Sequence, residues 1–133
     1  MMKITTAAKI ENIDSIADPV DAELEAREWP LRIRMQVRMA IDELVTNVAS
    51  YAYQPGTGDV TVCADFEGED LVLTFTDSGT PYDPTKAREP DVTLPAEERP
   101  IGGLGIFLVR KAMDDVAYRR EDGKNILTVR KKK

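Results

Sequence analysis

Two alternating apolar and polar runs, Val60 to Phe66 and Leu71 to Thr76, flank Glu67-Gly68-Glu69-Asp70 and constrain the fold more than anything else in the chain. Period-two alternation across a short Gly-containing connection predicts an antiparallel hairpin. Just before it, Val37, Ile41, Leu44, Val45, Val48 and Ala52 recur at helical spacing as one apolar stripe that ends before Gln54-Pro55-Gly56. Trp29-Pro30 marks the start of that helix, because the residue before a proline leaves the helical region while proline suits a first turn.

Around this centre, Lys3 to Ala8 predicts an edge strand, and Ile13, Ile16, Val20 and Leu24 predict a first helix that Pro19 is expected to start or interrupt. Ser78 to Pro100 reads as a long proline-rich loop, a length typical of lids, binding loops or disorder. Gly102-Gly103-Leu104-Gly105 then opens an apolar helix, Ile106 to Met113, and Val116 to Arg120 and Ile126 to Arg130 flank Asp122-Gly123 as a second hairpin. The order strand, helix, helix, hairpin, loop, helix, hairpin predicts a single α+β domain over residues 1–133. Its expected architecture is a two-layer α/β sandwich, with helices on one face of a mostly antiparallel sheet.

Composition removes whole classes of chemistry. The 133 residues contain no histidine, which excludes Ser-His-Asp and Cys-His triads, His-ligated metals and a phosphohistidine relay carried on this chain. Cys63 is the only cysteine, so no internal disulfide forms, and a structural thiol is the expected role. With 18 Lys and Arg against 24 Asp and Glu, the net charge of −6 disfavours nucleic acid as a direct partner. Arg130-Lys131-Lys132-Lys133 reads as a solvated chain end. The N-terminal segment has no apolar leader, and the longest apolar stretch, Ile101 to Val109, is far below the roughly 20 residues of a bilayer span. A cytoplasmic protein without a membrane partner is expected.

Three short segments can carry chemistry. Glu43 and Asn47, four apart on the long helix, project from one face; a carboxylate can act as a base and an amide oxygen can ligate magnesium, although such pairs also occur on solvated helix faces. Asp77-Ser78-Gly79-Thr80-Pro81 ends an apolar strand, where an aspartate can accept a hydrogen bond from an exocyclic amine and Gly79 permits close backbone approach; ordinary turn chemistry uses the same residues. Gly102-Gly103-Leu104-Gly105 stands at a helix start, where unpaired N–H groups bind phosphate, or serves as a plain hinge.

Taken in order, these segments resemble the GHKL (Bergerat-fold) ATPases, with Glu43-Leu-Val-Thr-Asn47 as the N box, Asp77-Ser-Gly79-Thr-Pro81 as the first glycine box and Gly103-Leu104-Gly105 as the second. The phrases DELVTNVASYAY, FTDSGTPYDP, GGLGIFLVRKAMDD and DGKNILTVRK are most similar to the bacterial anti-sigma regulatory factors of the serine-protein-kinase type. The resemblance implies that Asp77 hydrogen-bonds adenine, that Asn47 ligates Mg2+ on the phosphates of ATP, and that Gly79, Gly103, Leu104 and Gly105 shape the nucleotide site. It further implies that Glu43 is the base and that residues 84–101 form an ATP lid. The acceptor would be a serine of an anti-anti-sigma STAS protein, leaving ADP, and the regulated partner a sigma factor or another transcription regulator. A homodimer is implied as well. A non-catalytic, ATP-dependent partner-switching module is the alternative.

Two positions depart from the family pattern. Kinase members tend to carry a basic lid residue close before the glycines; here Ile101 stands there and Arg99 is the nearest candidate to reach the γ-phosphate. Many members also carry Thr where this chain reads Gly123-Lys124-Asn125. Elsewhere, Trp29 is expected to pack, and Met35, Met39 and Met113 to fill core or interface. Tyr51 and Tyr53 either touch a nucleotide or staple the helix end.

Overall fold

A computed structural model of the chain describes residues 2–53, 56–86 and 103–133. Their order is β1 (Met2–Ala7), a 3-10 turn (Ile10–Asn12), α1 (Ile13–Ala26), α2 (Leu31–Asn47) continuing into a π-helical turn (Val48–Ala52), β2 (Asp59–Glu67), β3 (Asp70–Asp77), a 3-10 turn (Pro84–Lys86), α3 (Gly103–Ala112), β4 (Asp115–Glu121) and β5 (Lys124–Lys131). The strands form one sheet in the order β1-β2-β3-β5-β4, with every pairing antiparallel. Both expected hairpins are present. The second closes through Asp122 and Gly123 at φ 52° and 75°, the pair of positive values that a type I′ turn requires and that matches the twist of the strands it joins.

Alternation decides which side chains turn inward. Leu71, Leu73, Phe75 and Asp77 of β3 are buried, as are Val60, Val62 and Ala64 of β2 and Asn125, Leu127 and Val129 of β5. Over this face lie Ile16, Val20 and Leu24 of α1, Val37, Ile41, Leu44 and Val45 of α2, and Ile106 and Val109 of α3, forming one core. Met113 belongs to it, Met39 packs against it, and Met35 is exposed. Cys63, on the opposite parity of β2, is a half-buried free thiol.

Pro19 neither starts nor interrupts α1, which runs through it. The ring removes one intrahelical bond, but Ile16, Ala17, Val20 and Leu24 are buried on both sides of it, and tertiary packing outweighs the local preference. At its end, α1 closes with the Glu28 N–H donating to the Glu25 carbonyl at 2.9 Å and the Trp29 N–H to the Leu24 carbonyl at 3.0 Å. This is the Schellman arrangement, and Glu28 takes its left-handed position at φ 61°. Trp29 is buried, with its ring edge-on to Phe66, so its role is packing.

Arg38 joins α2 to α1 through Asp14 at 2.9 Å and Asp18 at 2.7 Å. The basic chain end is not wholly solvated as expected: the Lys131 ammonium donates to the Ala112 carbonyl at 2.5 Å, and Arg130 pairs with Asp70 and Glu67. Among the described residues no helix is long and apolar enough to cross a membrane.

Candidate functional site

The end of α2, the end of β3, the start of β5 and the start of α3 line an open cleft. Leu44, Phe75, Ile106 and Leu127 give it an apolar lining, and Asn47, Asp77 and Asn125 supply polar groups. A largely apolar recess with a few convergent polar side chains is the usual form of a small-molecule site.

Asp77 enters the cleft because it is the last inward-facing residue of β3, following Leu71, Leu73 and Phe75 at period two. It is only 8% exposed. Its Oδ1 accepts from the Gly79 N–H and from Asn125 Nδ2, each at 2.9 Å. Asn125 lies directly opposite Asp77 on β5, and Arg120 lies opposite Asn125 on β4. Sequence reasoning gave Asn125 no role. The signal was its parity: it alternates inward with Leu127 and Val129, and a polar residue on a buried strand face must find partners.

Glu43 and Asn47 share the face of α2 turned toward α3. A Cβ at Gly105 would overlap the Glu43 carboxylate, so the glycine makes room for the acid. Burial, with the neighbouring Asp42 carboxylate adding to it, pushes the Glu43 carboxyl above its ordinary range. Asn47 Nδ2 is buried without a hydrogen-bond partner. An unspent buried amide is costly unless something else satisfies it, which suits a residue that binds a ligand. Gly103 and Leu104 begin α3. Arg99 and residues 87–101 of the expected lid lie outside the described residues, while residues 84–86 form a 3-10 turn.

Gly79 is closely packed against the end of the long helix. The close approach it permits is to backbone, since a Cβ there would overlap the Ala52 carbonyl, which also accepts from the Thr80 N–H at 2.8 Å. The π-helical turn after Asn47 brings that carbonyl to the end of β3. Tyr53 proves to be the staple: its hydroxyl donates to the Asp59 carbonyl at 2.6 Å and accepts from the Ser78 N–H at 2.8 Å. Burial pushes its phenol up, which keeps the donor protonated. Tyr51 instead lines the cleft.

A family profile described as the histidine kinase-like ATPase domain matches residues 6–131. The chain is 31% identical over 102 residues to the serine/threonine-protein kinase BtrW of Bordetella bronchiseptica, covering 76% of this chain and 72% of that protein. It is 28% identical over 95 residues to the serine-protein kinase RsbW of Bacillus cereus, covering 68% of this chain and 59% of RsbW. In fold it matches a chain from the crystal structure of the SiaB-SiaC complex of Pseudomonas aeruginosa, at a TM-score of 0.61 and 14% identity over 98% of this chain and 89% of that one. It also matches the histidine kinase domain of a blue-light activated kinase from Erythrobacter litoralis, at a TM-score of 0.56 and 14% identity over 90% and 60%. The match to the profile spans most of the chain and takes in both ends of the cleft, and the chain belongs to the histidine kinase-like ATPase domain family.

Proposed function

We propose that this protein is an ATP-binding anti-sigma regulatory factor that phosphorylates a serine of a cognate anti-anti-sigma, STAS-type protein and controls a sigma factor by exchanging partners. The observation that carries this reading is the meeting, in one cleft, of Asp77 with one carboxylate oxygen already spent and Asn47 with its amide nitrogen buried and unpartnered, beside the helix pair on which Glu43 is seated against Gly105. The names of BtrW and RsbW as protein kinases support transfer over binding alone.

Asp77 accepts the exocyclic amine of adenine. Glu43 takes the proton of the acceptor serine as its oxygen bonds to the γ-phosphorus and the bond from that phosphorus to the bridging oxygen breaks, releasing ADP. A carboxyl raised by burial is a stronger base than a solvated one, which suits it to that proton. Gly79, Gly103, Leu104 and Gly105 shape the backbone around the nucleotide, and Arg99 contacts the γ-phosphoryl group.

Asn47 would hold Mg2+, which supplies charge neutralisation on the phosphates when bound. Among the described residues no cluster of three or more acidic, Cys or His groups could hold a metal. Magnesium prefers oxygen ligands, and the side-chain oxygen of Asn47 is the group on this chain that would hold it beside the substrate's phosphates. On this reading the domain spans residues 1–133, carries its lid over residues 84–101, and acts in the bacterial cytoplasm on protein partners, as a homodimer.

Calorimetric titration of ATP with and without Mg2+, followed by transfer of labelled γ-phosphate to the cognate STAS protein, tests the proposal. Magnesium-dependent binding lost in Asp77→Asn, together with serine labelling, is expected. Binding without transfer would instead leave a partner-switching module, and absence of binding would overturn both.

A further inference from the structure

We infer that Asn125 is a positioning residue that makes the cleft select a 6-amino purine over a 6-oxo purine, by holding Asp77 with one carboxylate oxygen spent and the other free to accept. The inference rests on the ATP reading above and goes beyond it to base selectivity and to the residues that enforce it.

Asn125 is 6% exposed and makes five hydrogen bonds. Its Nδ2 donates to Asp77 Oδ1 at 2.9 Å and to the Thr80 carbonyl at 2.8 Å. Its Oδ1 accepts from the Tyr118 hydroxyl at 2.6 Å, from Arg120 at 3.2 Å and from the Tyr82 N–H at 3.3 Å. An asparagine amide has two N–H donors and two oxygen lone pairs, so this one is saturated. It lines the cleft yet has nothing left to offer a ligand, and it acts through Asp77.

The partners also fix which way the amide points. A carboxylate and a carbonyl can only accept, whereas a guanidinium and a backbone N–H can only donate, so the reversed amide would face like groups at four contacts. Arg120 closes the ring by donating to the Gly79 carbonyl at 2.8 Å, and the Gly79 N–H bonds Asp77 Oδ1 at 2.9 Å. Asp77 Oδ1 is therefore pinned from two directions, and Oδ2 receives none of the hydrogen bonds described. The exocyclic amine of adenine can donate to a free carboxylate oxygen, whereas the O6 of hypoxanthine or guanine is an acceptor and would meet another acceptor. A carboxylate free to turn would lose this discrimination.

The test compares dissociation constants for ATP and ITP, with Mg2+, in the wild type, Asn125→Asp, Tyr118→Phe and Arg120→Ala. The wild type should prefer ATP by about tenfold or more, because the wrong base leaves the buried carboxylate oxygen unpaired. In Asn125→Asp an acceptor replaces the donor to Asp77 and two carboxylates face each other, so Asp77 loses the bond that orients it. A carboxylate no longer held with one oxygen aimed at the base loses its preference for the amine, so the preference for ATP over ITP should fall by about tenfold. Arg120→Ala removes two bonds from an exposed side chain without touching the core, and should lower the ratio about threefold.

If Asn125→Asp does not fold, Arg120→Ala and Tyr118→Phe decide by the same ratio. Equal loss of ATP and ITP affinity in these variants would reduce Asn125 to a structural role and overturn the inference, as would a wild type indifferent to the base. A wild type that binds neither nucleotide overturns the ATP reading itself. One that prefers ATP, with a ratio unmoved in every variant, overturns only the inference.

Discussion

Gly105 of α3 lies against the Glu43 carboxylate of α2, so closely that a Cβ at position 105 would overlap Oε2. The acid owes its position to a missing side chain one helix away. Ala is about 1 kcal/mol better than Gly inside a helix, so Gly105→Ala favours α3 locally while displacing Glu43. Misplacing a catalytic group by about 1 Å costs on the order of a hundredfold in rate. Gly105→Ala should therefore slow γ-phosphate transfer by about that factor without loss of fold by circular dichroism. Combined with Glu43→Gln, it should add little to the effect of that substitution alone, as expected of two residues acting through one contact. Full additivity in single-turnover assays would break the proposed link.

The Glu43 carboxyl is raised, chiefly by burial and further by Asp42, and this sets two pH dependences. As a base it must be ionised, so transfer should decline as pH falls through its raised value, earlier than for a solvated glutamate. For stability the sign is opposite. A carboxyl that binds its proton more tightly folded than unfolded contributes stability fully present below its unfolded pKa and lost as pH rises through the folded value. Glu43→Gln should then raise the thermal midpoint at pH 7, with the advantage disappearing below the ordinary glutamate range. It should also abolish transfer while leaving ATP affinity nearly intact. A lower midpoint at pH 7 in calorimetry would contradict the assigned cause.

Tyr53 joins the start of β2 to the end of β3 through one hydroxyl. Tyr53→Phe leaves the Asp59 carbonyl and the Ser78 N–H without that partner, a loss of about 1–2 kcal/mol at a half-buried site. Urea unfolding should show a lower midpoint with an unchanged slope, since the exposed area does not change. Because Ser78 adjoins Asp77, weaker ATP binding should accompany it.

Glu28 occupies, at φ 61°, the left-handed position that closes α1. Glycine adopts that conformation without a Cβ penalty. Glu28→Gly should stabilise the domain by about 1 kcal/mol, raising the thermal midpoint by a few degrees. It should leave transfer unchanged, because the position is remote from the cleft. A decrease in the midpoint would mean that the glutamate side chain makes a compensating interaction.

Most of the framework was legible because it rests on local periodicity. The alternation from Val60 to Thr76 and from Val116 to Arg130 specified both hairpins, and the stripe from Val37 to Ala52 specified the long helix, including the π-helical turn's residues though not its geometry. Asn47, Asp77 and Gly105 were legible as short motifs, and the structure brings the segments that carry them to one cleft. What escaped depends on contacts far apart in sequence. Asn125 meets Asp77 across 48 positions, through the pairing of β3 with β5. Gly79 needs its small size because of Ala52, which reaches it only through a non-α turn at the end of the helix. Pro19 misled because its local penalty is visible in sequence, whereas the burial that outweighs it is not.

The turn at Asp122-Gly123 acts as a ruler for the cleft. Glu121 pairs with Lys124 across it, and the count from there sets Asn125 beside Arg120 and, one strand further, beside Asp77. Because strand side chains change face with every residue, one extra residue at the turn that shifted this count by a single step would send Asn125 to the solvent side and carry Lys124 inward toward the carboxylate. The chemistry of the cleft thus hangs on the length of a solvent-facing bend that never touches a ligand, and a change in spacing there would act on base recognition as decisively as a substitution at Asp77.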